Sequence, residues 1–153
     1  MRIHLGSDHA GFPLKESVKS HLLSEGHDVT DVGTHSEDAV DYPLIAGLVG
    51  RAVASGDADF GVLVCGTGLG MAIAANKVGG VRAVQVNDPE FAAMSRRHND
   101  ANVVTLAGRS ITAETAASIV DTFLATEFEG GRHQRRVDEI TSIENERTGN
   151  VRS

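Results

Sequence analysis

The chain has 153 residues, 41% of them apolar, and a formal net charge of −7, which suits one globular domain with its own core and excludes a disordered tract. The negative balance argues against a broad surface for nucleic acid or anionic membrane, because both need clustered positive charge. A single cysteine rules out a disulfide framework and a thiolate-rich metal site, and no signal peptide or membrane span is readable, so a cytoplasmic protein is expected.

Short β-branched runs alternate with helical periodicity along the whole chain. RIHLG (2–6) reads as a strand followed by the turn SDHAG. A helix over Pro13–Ser24 has Leu14, Val18 and Leu22 on one face, Pro13 in its first turn and Gly26 as its stop. HDVTDVG (27–33) is a second strand with polar positions. After the loop THSEDAVD a helix starts near Tyr42, striped by Leu44, Ile45, Leu48, Val49, Ala52 and Val53. FGVLVC (60–65) is nearly all apolar, the mark of a central parallel strand buried on both faces.

GTGLG then opens a helix that runs on through MAIAANK. VRAVQV (81–86) is a fourth strand with the helix PEFAAMSRRH behind it, and NVVTLAG (102–108) is a fifth. The helix after that is striped by Ala116, Ile119, Val120, Phe123 and Leu124. Five strand–helix units in order predict an α/β fold: a Rossmann-like, doubly wound, five-stranded parallel sheet with helices on both faces. Ligands of such sheets bind at the carboxyl ends of the strands. From residue 128 the pattern changes to a C-terminal helical arm (128–153) with a thin apolar edge of Val137, Ile140 and Ile143. Such an edge fits either a partner subunit or a surface helix. The expected organisation is one domain, 1–153, with the arm at a dimer interface.

The stretch VCGTGLG (64–70) puts the cysteine, Cys65, at a strand end beside a loop of three glycines. A phosphate-binding P-loop needs Lys-Ser/Thr after the glycines, but Met71-Ala72 follows. Gly66, Gly68 and Gly70 lack the third spacing of a dinucleotide fingerprint, although Asp88 stands where an acid would be needed. A cysteine phosphatase would carry arginine at position 71. A phosphocysteine carrier shares the strand–Cys–glycine turn, but it does not call for the other polar motifs. A thiol between a strand end and a helix start is exposed to the helix dipole and to free amide N–H groups, which favour thiolate. Those N–H groups and the Thr67 hydroxyl can also stabilise an oxyanion. The residues alone leave open whether Cys65 is such a base or a buried structural cysteine.

Arg132 and Arg136 lie four apart, on one helical face, where two guanidinium forks can grip a phosphate dianion; a solvated basic patch is the alternative. Arg135 falls off that face. His98, in RRHND, is either a dipole-compatible helix end or a proton carrier near neutral pH. Asp8 can be a simple turn cap. His27, His35 and His133 are assigned no chemistry, and no histidine–carboxylate grouping has metal-ligand spacing, so no metal is expected.

The stretches GSDHAGFPLK (6–15), DYP (41–43), CGTGLGMAIAANK (65–77), VRA (81–83), RRHNDANV (96–103), GR (108–109) and EGGRHQRRV (129–137) run in order along nearly the whole chain. Together they resemble the B-type ribose-5-phosphate isomerases and their sugar-phosphate isomerase relatives. That resemblance implies a metal-free, cofactor-free aldose–ketose isomerase interconverting ribose 5-phosphate and ribulose 5-phosphate. It implies Cys65 as the base moving a proton between C1 and C2 through an enediolate, and His98 as the acid–base that opens the furanose ring. Asp8, His9 and Tyr42 would bind substrate. Gly66, Thr67, Gly68, Leu69 and Gly70 would form the loop that receives the enediolate oxygen, with Thr67 also placed for ring opening or hydroxyl contact. Asn99, Arg109, Arg132 and Arg136 complete the implied binding set. The family also implies a homodimer, with a tetramer as the alternative, in which His98, Asn99 and the arginine arm serve the neighbouring subunit's Cys65. One branch uses a glutamate past the loop as base; Ile73 and Ala74 stand there, so the cysteine branch is the match. VQVNDPEF (84–91) and Ser110 depart from the usual pattern, leaving allose 6-phosphate or a tetrose phosphate as rival substrates. A non-catalytic sugar-phosphate-binding subunit is the remaining alternative.

Overall fold

The computed structural model describes residues 1–147 and 149; the last part of the 128–153 arm, residues 148 and 150–153, lies outside them. The elements are β1 (Arg2–Ser7), α1 (Phe12–Ser24), β2 (Asp28–Asp31), α2 (Tyr42–Ser55), β3 (Phe60–Cys65), α3 (Leu69–Ala75), β4 (Ala83–Gln85), α4 (Pro89–Asn99), β5 (Val103–Ala107), α5 (Ala113–Ala125) and α6 (Arg132–Arg147). The strands form one sheet, ordered β2-β1-β3-β5-β4, with every neighbouring pair parallel.

Side-chain alternation along β3 explains the two layers. Val62 and Val64 join Leu14, Val18 and Leu22 of α1, Ala92 of α4 and Ile119 and Phe123 of α5 in one core cluster. Leu63 and Cys65 point the other way, into a smaller cluster with Ala46 and Val49 of α2 and Met71 and Ala75 of α3. Both faces of the central strand are covered, so an uninterrupted apolar run is what it requires. The doubly wound expectation is met.

Chain reversal occurs where the site must lie. From β1 the chain crosses to β2 on one side, and from β3 it crosses to β4 on the other. The carboxyl ends of β1 and β3 therefore flank the topological switch point, where the loops part and leave a crevice. Close backbone packing holds that crevice. A Cβ on Gly11 would lie 2.5 Å from the Val64 carbonyl oxygen, so no other residue fits there without moving β3.

Two strands are shorter than the sequence suggests. β2 stops at Asp31, where the carboxylate takes the Gly33 amide and the chain turns at Gly33, φ 100°. β4 begins at Ala83, because the Arg82 and Ala83 amides donate to the Asn102 and Asn76 side chains. Among the described residues no helix is long and apolar enough to cross a membrane.

Candidate active site

At the switch point, a pocket of about 360 Å³ is lined by Asp8, His9, Ala10, Tyr42, Cys65, Gly66, Thr67, Gly70 and Arg109. The first βα turn contributes Asp8 and His9. Asp8 is buried, and its Oδ1 accepts the Gly11 amide at 2.9 Å, so the turn-capping role is real and coexists with its place in the pocket. The Nδ1 of His9 accepts the Val40 amide at 3.2 Å. In a neutral ring that leaves the proton on Nε2, free to donate to a ligand.

Cys65 ends β3, only 5% exposed. Its Sγ accepts the Gly68 amide at 3.1 Å. Gly68 can aim its N–H backwards because it sits in the left-handed region, φ 76°. The Leu69 amide donates to the Thr67 Oγ1 at 3.2 Å, leaving that hydroxyl its own proton to donate. Gly68 and Leu69 thus support the loop but do not line the pocket. The Tyr42 ring lies over Gly70, where a Cβ would stand 2.6 Å from Cζ. Arg109 flanks Gly66, and its amide donates to the Gly66 carbonyl at 3.1 Å.

His98, Asn99, Arg132 and Arg136 are elsewhere. The register pairs Gly61 with Val103 and Cys65 with Ala107, so β5 starts at the sheet edge opposite the thiol. α4 ends at Asn99, four residues before Val103, and is tied to that edge by Arg82, whose Nε donates to the Asn99 and Asp100 carbonyls. Four strand steps separate the two edges, or ~13 Å along β3. One chain therefore holds the anticipated residues as two separate groups.

The second group contains an arrangement that sequence reasoning missed. The rings of His98 and His133 stack at 4.3 Å between centroids and 13° between planes. Glu129 brings a carboxylate oxygen to 3.5 Å from the His133 Nε2. Burial, helped by the neighbouring His98 and Arg132, holds His133 below the ordinary histidine range, while Glu129 opposes the shift. These three side chains could present ligand atoms to one ion, but parallel stacked rings point their in-plane lone pairs side by side rather than at a common centre. RRHND and EGGRHQRR are 35 residues apart at these histidines, and no local spacing announces the stack. Asp88, weighed as a possible ribose-binding acid, caps α4 by accepting the Phe91 amide.

The family model described as "Ribose/Galactose Isomerase" matches residues 3–140. The chain is 49% identical over 146 residues to ribose-5-phosphate isomerase B of Escherichia coli, covering 95% of this chain and 98% of that protein. Among solved structures, a ribose 5-phosphate isomerase from Thermotoga maritima superposes with a TM-score of 0.91 at 53% identity, covering 92% of this chain and 97% of that one. The ribose-5-phosphate isomerase B of Mycoplasma genitalium, solved with bound ribulose-5-phosphate, gives 0.91 at 46% identity, covering 95% and 97%. A match of this extent over this fold places the chain in the ribose/galactose isomerase family.

Proposed function

We propose that this chain, as one catalytic domain acting in the cytoplasm, interconverts ribose 5-phosphate and ribulose 5-phosphate. The observation that carries the reading is the Cys65 thiol at the switch-point pocket, held by the Gly68 amide and faced by Asp8, His9, Thr67, Tyr42 and Arg109. Cys65 thiolate removes the proton from C2 of the open-chain aldose and returns it to C1, while the proton on O2 passes to O1, leaving a ketone at C2 and a hydroxyl at C1. The loop amides and the Thr67 hydroxyl at the pocket wall stabilise the enediolate. No metal or cofactor is needed for this proton transfer, since thiolate, amides and hydroxyl supply the base and the charge stabilisation.

His98 opens the furanose ring, and Arg132, Arg136 and His9 hold the phosphate, with Asn99 and Arg109 contacting the sugar. The ~13 Å of sheet between the Cys65 end of β3 and the edge at which α4 ends supports a homodimer in which the His98 group of one chain completes the pocket of another. The exposed Ile140 and Ile143 on α6, 46% and 60% exposed, give that arm an apolar edge for such packing.

Purified protein is assayed for interconversion of the two pentose phosphates, alongside Cys65→Ala. The parent is expected to be active, and the variant to keep its fold and bind sugar phosphate without turning it over. An inactive parent sinks the isomerase reading, and an active variant sinks the role of Cys65.

A further inference from the structure

The stretch AVQV (83–86) interrupts its apolar residues with one amide side chain, Gln85, at the end of β4, in a segment that departs from the rest of the family resemblance. Gln85 does not line the pocket, yet its Nε2 donates to the Thr67 carbonyl at 3.0 Å and to the Asn87 Oδ1 at 2.9 Å. The Thr67 carbonyl and the Gly68 N–H belong to one peptide unit. The only cis peptide among the described residues is Gly33–Thr34, so the 67–68 unit is trans, with C=O and N–H pointing in opposite directions. One end of it meets Gln85, and the other meets the Cys65 Sγ at 3.1 Å.

We infer that Gln85 is a positioning residue for the thiolate: it grips and polarises the 67–68 peptide so that the Gly68 N–H is held on Cys65. Hydrogen bonds in a chain strengthen one another, and a donor whose own carbonyl is engaged is a better donor to an anion. Asn87 takes the second Nε2 hydrogen and fixes which way the Gln85 amide faces. Thr105, fully buried, completes the clamp by donating its hydroxyl to the Gly68 carbonyl at 2.7 Å, so the peptides on both sides of Gly68 are pinned from β4 and β5. Glycine at φ 76° has few steric restraints of its own, so the clamp supplies what the backbone does not.

The inference rests on Cys65 as the base, but its test reads the thiol directly. Cys65 is the only cysteine, so alkylation by iodoacetamide at pH 7 reports on one sulfur. Gln85→Met keeps the length and removes the amide, and Gln85→Glu puts a carboxylate against the Thr67 carbonyl. Both are expected to slow alkylation about threefold or more, Glu more than Met, and to lower kcat three- to tenfold at unchanged KM, by loss of one link in a charge-assisted chain. A variant that merely reshapes the pocket would raise KM instead, and that result overturns the inference, as does alkylation at the parental rate. If neither Gln85 variant folds, Asn87→Ala, at an exposed position, decides alone: slower alkylation at unchanged KM supports the clamp, and parental behaviour refutes it. Activity surviving in Cys65→Ala would remove the base assignment while leaving the alkylation result standing.

Discussion

A site shared between two chains makes a quantitative prediction about mixed assemblies. Take Cys65→Ala and His98→Ala, each expected to be inactive alone. In a mixed dimer, one site receives the altered position 65 from one chain and the altered position 98 from the other, and is doubly damaged. The second site receives Cys65 and His98 from opposite chains, both intact. Random re-pairing makes half the dimers mixed, and half their sites are rebuilt, so about a quarter of parental activity returns. If both residues served a site within one chain, every site in the mixture would carry one lesion and nothing would return. The ~13 Å between the sheet edges is why the first outcome is expected, since a proton-transfer pair must come within a few ångströms of one sugar. The variants are co-expressed with different tags, the mixed dimer is isolated through both, and isomerisation is followed at equal chain concentration. The doubly tagged fraction, all mixed dimers, is expected to show about half of the parental activity; activity there no higher than that of either variant alone would refute the shared site.

Other expectations follow from particular contacts. Gly70→Ala drives a Cβ to 2.6 Å from the Tyr42 ring; the ring must move, raising KM several-fold and costing about 1–3 kcal/mol, read by denaturant unfolding. Lys15 is fully buried and its Nζ lies 2.6 Å from Asp31; Lys15→Met strips the carboxylate of its inner partner and lowers Tm by several degrees, about 3 °C per kcal/mol lost. Burial pushes the Asp31 carboxyl up, but hydrogen bonds from Lys15, the Gly33 amide and Lys19 outweigh it and hold the group below 3.8. A depressed carboxylate stabilises the fold above its unfolded value, so this contribution is lost as pH falls below about 4, and Asp31→Asn flattens that part of the acid-unfolding curve. His133 is held below 6.5, so its neutral form is the folded one; stability is full above pH 6.5 and declines below it, and His133→Phe, which keeps the stack, removes that decline in thermal melts across pH 5–7.

Much of this was legible in the residues. The bounds of β3 coincide with FGVLVC because a strand buried on both faces must be apolar throughout, and Met71 tells the loop after it from P-loop and phosphatase loops, as its glycine spacing tells it from a dinucleotide fingerprint. The positions of Asp8, His9, Tyr42, Cys65, Thr67, Gly70 and Arg109 at one pocket follow from the rule that parallel sheets bind at their carboxyl ends. What local pattern could not give depends on tertiary approach. β4 begins two residues later than the pattern suggests because Val81 and Arg82 look like strand, while their amides donate to the Val78 carbonyl and the Asn102 side chain. The His98–His133 stack needs α6 folded back on α4. Gln85 did carry a signal, a lone amide amid valines, but its partner is a loop carbonyl 18 residues away.

The placement of Cys65 and His98 at opposite edges of one sheet has a consequence for how the protein behaves on dilution. On the shared-site reading a solitary chain is a silent half, so catalysis requires an encounter before any substrate is turned over. Specific activity then falls as concentration drops through the dissociation constant of the pair, and substrate, by bridging two chains, draws them back together.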